Sequence, residues 1–217
     1  MEKEDSIIDE KSGITYDQIQ EYYYYYLKDE EDFNATMSYV ALDQNKCGRT
    51  YSNTFCNIIT CVCMDLEGLL RVYFQKPKDK EFTEYDYIDF VKKDECLRNV
   101  FQEKVEALRG KYKELQPLEL HENSRLNKME WTKFWPAYNR IKHQKITSIT
   151  SATQLVTLNA LAALYVIECY ILKTTASKEK KKDFFDKESC LFKLQNLETK
   201  YSSASHLMCG EKVDMKW

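Results

Sequence analysis

Glycine and proline are scarce, with five Gly and three Pro in 217 residues. An all-β fold built on tight turns needs more of both, so the punctuation points to helices. Histidine is scarcer still, at positions 121, 143 and 206 only. The eight cysteines include no Cys-x-x-Cys pair. Cys56 and Cys63 share a helical face while Cys61 points away, so the three do not converge on one metal. Also missing are a Gly-rich phosphate loop, a His-Glu-x-x-His pair, a nucleophile elbow and a calcium loop. Neither a metal nor a cofactor is expected. No apolar run follows the acidic start, so no secretory leader is expected. Scattered thiols behaving as small hydrophobes then suit a reducing cytoplasm. The net charge of −3 supplies no global drive toward nucleic acid or membrane.

What is present is unevenly spread. From Met1 to Lys46 twelve acids face four bases, a local balance of −8. From Arg125 to Lys145 six bases face the single acid Glu130, a balance of +5. A polyanion would meet the second stretch. Residues 1–32 read as an acidic, Tyr-rich N-terminal segment ending in the run Tyr22 to Tyr26, which covers every face of a helix. Packing or partner contact is its expected use. Residues 33–175 read as the helical domain, and residues 176–217 as a charged connector, a short helix and a mobile tail.

Within that domain the hydrophobic spacing predicts several helices. Phe55, Ile59, Val62, Cys63, Leu66, Leu69, Leu70 and Tyr73 recur at three and four residues, an amphipathic helix over 51–75 with Thr50 or Ser52 as N-cap. Pro77 stops it, and Glu67 and Arg71 are spaced to pair on its outer face. A second helix is expected over 84–93, with Tyr87, Ile88 and Val91 inward. A third is expected over 97–108, ended by Gly110. Residues 111–130 read as irregular, with Pro117, Asn123 and Asn127 as breakers. Trp131, Trp135 and Tyr138 then mark a short helix, and Thr147 to Ser151 can cap the next. Residues 152–172 are apolar on almost every face. A membrane span needs about 20 such residues, but Thr157, Asn159 and Glu168 interrupt this run. It reads as a central buried helix, with no membrane partner, and a buried Glu168 needs a partner. One more helix is expected over 191–200.

The residues that could carry chemistry stand just before that apolar run. On a helix Asn139, Arg140 and His143 lie at spacings of three and four and share one side, with Lys142 beside them and Lys145 close by. An imidazole can move a proton near neutrality, and a guanidinium can hold a phosphate bidentately. Those are the minimum parts for cleaving RNA without metal, provided a second proton-transfer group joins them, for instance from a symmetry mate. The alternative is structural: Arg140 and Lys142 bond the 111–130 segment and His143 caps a helix end.

Tyr51-Ser52 opening a Cys-rich helix with Asp65 and Glu67, Gln116-Pro117, Trp135-x-x-Tyr138-Asn139-x-x-Lys142-His143 and the following Leu-Asn-Ala-Leu-Ala-Ala-Leu helix form a combination spanning residues 33–173. It resembles uncharacterised bacterial helical proteins that look like relatives of the HEPN superfamily. The resemblance implies an all-α, up-and-down helical bundle, often dimeric. Many members are metal-independent ribonucleases of toxin–antitoxin, phage-defence or RNA-processing systems. Their motif sets an arginine, then a polar residue, four to six residues ahead of a histidine. Here Arg140 stands only two intervening residues before His143, and Asn139 precedes the arginine. The implied catalytic candidates are His143, for proton transfer, and Arg140, which with Lys142 would hold phosphate; Asn139 and Lys145 join as phosphate-binding candidates by proximity. The expectation is RNA or nucleotide-phosphate engagement, extending to endoribonuclease activity. Its rival is a non-catalytic helical interaction or dimerisation module. RNA, a second copy of the chain and a protein partner are the candidate partners.

Overall fold

A computed structural model describes residues 13–112 and 114–194. These residues are mostly helical, with α1 (Tyr16–Thr36), α2 (Asn53–Tyr73), α3 (Glu84–Lys93), α4 (Trp135–Ser148) and α5 (Gln154–Glu179). Two antiparallel two-stranded ribbons join them: β1 (Val105–Ala107) with β4 (Phe192–Leu194), and β2 (Leu120–Asn123) with β3 (Lys128–Trp131).

α1, α2, α3 and α5 start at a hydroxyl-bearing residue that can cap the orphan amides, whereas α4 starts at Phe134 without a side-chain cap. Thr15 and Gln18 form a capping box on α1, and Thr83 and Asp86 form one on α3. Ser52 accepts from the Phe55 amide at 3.1 Å, and Thr153 from the Val156 amide at 3.3 Å. The cap of α5 is therefore Thr153, while Ile149–Ser151 forms a 3-10 turn ahead of it.

Three helices make the core. Tyr22 lies beside Gly68 and Phe33 beside Phe55, so α1 and α2 run antiparallel. The Tyr16 amide meets Glu179, and Tyr23 and Tyr26 meet Tyr165, so α1 and α5 are also antiparallel. Helices α2 and α5 are thus parallel and start side by side, where Tyr51 bridges Thr153. α5 is buried along nearly its whole length, from Leu158 through Leu172. It is long and apolar enough to cross a membrane by length and composition, yet most of that window is inside the protein. Each fully buried Leu, Ile or Val there contributes about 1.5–3 kcal/mol, so α5 is the main source of cohesion.

Several expectations need correction. α1 runs straight through residue 32, so the Tyr-rich stretch is part of the bundle and not a leader to it. Tyr23 and Tyr26 are buried, Tyr24 and Tyr25 exposed. α5 likewise runs past residue 175 to Glu179. The stretch expected to be helical over 97–108 is a 3-10 turn, Leu97–Gln102, followed by β1. Val105 exchanges both backbone bonds with Leu115 at 2.8 Å, and a helix could not make that pairing. Gly110, at φ +74°, turns the chain under Leu42, whose carbonyl an added Cβ would strike. The irregular reading of residues 111–130 holds only for the described residues up to 119, which form isolated bridges and a turn; beyond them Asn127, at φ +49°, belongs to the turn that closes the β2–β3 hairpin. Phe192–Leu194 is a strand where a helix was expected, because β1 offers it an edge. The rest of that expected helix, and the tail after residue 201, lie outside the described residues.

The segment leading into β4 is held by one carboxylate. Glu30, 3% exposed, accepts from the Tyr26 hydroxyl at 2.7 Å, from the Cys190 and Leu191 amides at 3.1 and 3.2 Å, and from the Ser189 hydroxyl. A buried carboxylate so fully bonded fixes the strand against α1.

Candidate functional site

α4 begins with Pro136 in its first turn, where a missing N–H costs nothing. Trp135, Ala137, Tyr138 and Ile141 are buried and pin the helix. Trp135 packs edge-on against Trp131 at 5.2 Å and against Tyr138 at 5.4 Å. This leaves the other side of α4 in solvent. Asn139, Arg140, Lys142, His143 and Lys145 are all exposed. Gln144, at φ −146° and ψ 56°, breaks the helical geometry and separates Lys145 from the four residues before it.

Each cation has a local contact. Arg140 donates from Nε to the Pro136 carbonyl of its own helix at 3.0 Å. Lys142 stands 3.6 Å from Glu67 on α2 and 5.3 Å above the Tyr138 ring. Lys145 reaches Asn57 of α2 at 2.9 Å. Glu67 and Asn57 therefore set α4 antiparallel to α2. None of the three cations is buried, so these exposed contacts are worth at most about 1 kcal/mol each and open readily. The alternative of bonds to the 111–130 segment is not what Arg140 and Lys142 make. Burial pushes the Tyr138 phenol well up, and the Glu67 carboxylate adds to this.

Lys142 and His143 form one wall of an open groove of about 520 Å³ between α2, α4 and the start of α3. Glu67, Gly68 and Arg71 come from α2, and Phe82, Thr83 and Tyr87 from the α3 side. Arg71, expected to pair with Glu67, instead donates to the Pro77 and Lys80 carbonyls at 2.7 and 3.1 Å and lies 5.1 Å from the Phe82 ring. It ties down the loop that forms the groove's rim. Glu67 is left to Lys142. Two carboxylates, Glu67 and Glu81, thus balance two cations in the groove. The excess positive charge lies outside it, along α4.

Arg140 and Asn139 do not line the groove, so Arg140 and His143 do not converge on one cavity. His121 lies on β2, opposite Glu130, and also stays out; His206 is outside the described residues. Sequence reasoning missed Arg71, Phe82 and Thr83. The short loop between α2 and α3, stopped by Pro77, was the signal that their ends lie together.

Behind the groove Glu84 accepts the Trp131 amide at 2.7 Å. Burial pushes its carboxyl up to about 8, with the Trp131 N–H pulling the other way and Glu130 adding to the rise. Among the described residues no group of His, Cys, Asp and Glu is placed to hold a metal ion. Compared with known protein families, curated proteins and solved structures, the chain matches none of them.

Proposed function

We propose that this protein engages RNA, or another phosphate-bearing polyanion, through the exposed face of α4. The observation that carries the reading is that Arg140, Lys142 and His143 are all in solvent on a helix anchored by four buried residues, with Lys145 exposed just past its kink. A rigidly seated row of exposed cations suits a phosphate backbone, which needs charge and reach more than a closed pocket. The HEPN-like reading of the bundle is part of this proposal, supported by the mostly helical fold and by the long apolar helix that follows the motif. Cleavage is its extension. His143 would take the 2′-hydroxyl proton, and Lys142 would face the phosphate once released from Glu67. A second group must protonate the leaving 5′-oxygen, and a second copy of the chain is the source that the superfamily resemblance suggests.

Titrating the full chain with a labelled single-stranded RNA tests the binding. Arg140→Ala with Lys142→Ala should weaken it at least about tenfold, as loss of two phosphate contacts implies, with melting unchanged. Equal affinity for wild type and double variant overturns the reading. For cleavage, RNA left intact by wild type in EDTA-containing buffer removes the extension while leaving the binding claim standing.

The rival, a helical interaction module, has its own observation. Ile146 is 93% exposed just past the kink, and Met64 is 58% exposed beside the groove. Single exposed apolar side chains are ordinary on a protein surface, so this reading requires the two to be covered together by one partner. Ile146→Asp would then abolish a self-association that sedimentation detects and leave RNA affinity unchanged.

A further inference from the structure

Where α1, α2 and α5 meet, the core contains carboxyl groups, and among the described residues no base acts on Glu168, Asp29 or Asp65. Glu168 of α5 is 0% exposed, and neither of its oxygens has a hydrogen-bond partner among the described residues. The charges acting on it are Asp65 of α2 and Asp29 of α1, both acidic. One oxygen of Asp29 is also buried without a partner. Asp32 adds to the field at Asp29, and the Tyr22 phenol of α1 feels Asp65, Glu21 and Glu168. On α2 the Cys61 thiol feels Asp29, Asp65 and Asp32, and Lys145 of α4 is the one cation acting on it. On the other side of α5, Glu103 is bonded to Tyr170 at 2.6 Å.

An ionised carboxylate in such a place is costly, and burial favours the protonated, neutral form. The same bundle shows what a stable buried carboxylate looks like, since Glu30 is met by donors on both oxygens. Glu168 has none. Three carboxyl groups, one from each helix of the core, therefore act on one another at a junction whose inner member, Glu168, is fully buried and whose outer members, Asp29 and Asp65, are half-buried, and these side chains are not placed to hold a metal ion.

We propose that this junction is a proton-binding switch: α1 closes onto α2 and α5 with protons on Asp29, Asp65 and Glu168, and loosens when they ionise. Burial is the main cause of the upward shift at all three. Asp29 rises to about 7, with Asp65 and Asp32 adding to the burial effect. Asp65 is raised by burial, and Glu168 is raised strongly. The sign follows directly. A carboxyl whose folded pKa exceeds its unfolded value stabilises the fold most at low pH, and that contribution is lost as pH rises. The window opens near the ordinary carboxylate range, passes through about 7 at Asp29 and continues upward through Glu168.

Hydrogen exchange of the full chain tests this, with α1 amide protection corrected for the intrinsic pH effect. From pH 5.5 to 8.5 protection should fall by at least about tenfold, the equivalent of one pKa unit of coupling. Glu168→Gln should flatten most of that fall, and Asp29→Asn, at a partly exposed site that tolerates change, should flatten part of it. A fall of the same size in both variants overturns the switch, because another group such as Glu84 then carries it. So does an unchanging protection across the range in wild type. Restoration of protection at pH 8.5 by magnesium, calcium or zinc, in wild type and not in Glu168→Gln, also overturns it, since a metal ion and not a proton would then be the ligand.

Discussion

α4 and α5 follow each other in sequence and use their residues in opposite ways. α5 puts nearly every side chain into the core, including one unpaired acid, and is capped cleanly by Thr153. α4 buries only Trp135, Ala137, Tyr138 and Ile141, is kinked at Gln144, and leaves its cations in water. A buried helix gains stability from each residue and has no face to offer a macromolecule. A helix pinned along one edge gives up that stability and keeps its polar face free. The contrast gives cohesion to α5 and leaves the polar face of α4 free for the recognition proposed for it.

Truncation should separate the two most sharply. Leu161→Ala, at a fully buried position of α5, should cost about 3 kcal/mol of unfolding free energy. Urea denaturation measures it, and a cost below about 1 kcal/mol would mean that the core is not centred on α5. Glu30→Ala should rank next, since it strands the Cys190 and Leu191 amides, the Tyr26 hydroxyl and the Ser189 hydroxyl. A loss of about 2–3 kcal/mol is expected, with proteolysis appearing first in the 185–194 segment.

A smaller effect belongs to the wall behind the groove. Glu84 rises from its ordinary 4.5 to about 8 in the fold. Its raised pKa favours the folded state at low pH, so stability from this group fades as pH climbs from about 4.5 through about 8. Glu84→Gln keeps an acceptor for the Trp131 amide and should remove that part of the pH dependence in thermal melts. An unaltered profile would show that Glu84 is not the titrating group. The smallest change is expected on α4 itself. Arg140→Ala, Lys142→Ala and Lys145→Ala should each shift stability by no more than about 0.5 kcal/mol. A larger loss would place these residues in the scaffold and erase the contrast with α5.

How much of this was legible in the sequence depended on how local the cause was. α2 and α3 follow from apolar spacing and from caps a few residues away, and Ser52, Tyr87, Ile88 and Val91 act as read. α5 followed from continuous apolarity. The β1–β4 ribbon did not, because Ala107 and Phe192 are distant in sequence and each strand is too short to show a period of two. Residues 1–32 were set apart from the helical domain because acids outnumber bases there, yet Tyr23 and Tyr26 are buried, so packing, one of the uses expected for the tyrosine run, holds for its inner side. At the candidate site the exposure of the basic cluster was readable from the aromatic anchors opposite it. The separation of Arg140 from His143 was not. Nor was the kink at Gln144, since neither glycine nor proline marks it. The third wall of the groove depends on Arg71 gripping loop carbonyls instead of Glu67, a choice made by tertiary packing.

The salt dependence of binding to a single-stranded RNA tests the central claim most directly. Wild type should bind with an affinity that falls steeply as salt rises. Removing Arg140, Lys142 and Lys145 together should make the log–log slope shallower by about 2, from roughly 0.7 per phosphate contact on a single strand. No binding by wild type at low salt, or the same slope in the triple alanine variant, would contradict an α4 phosphate-engaging face.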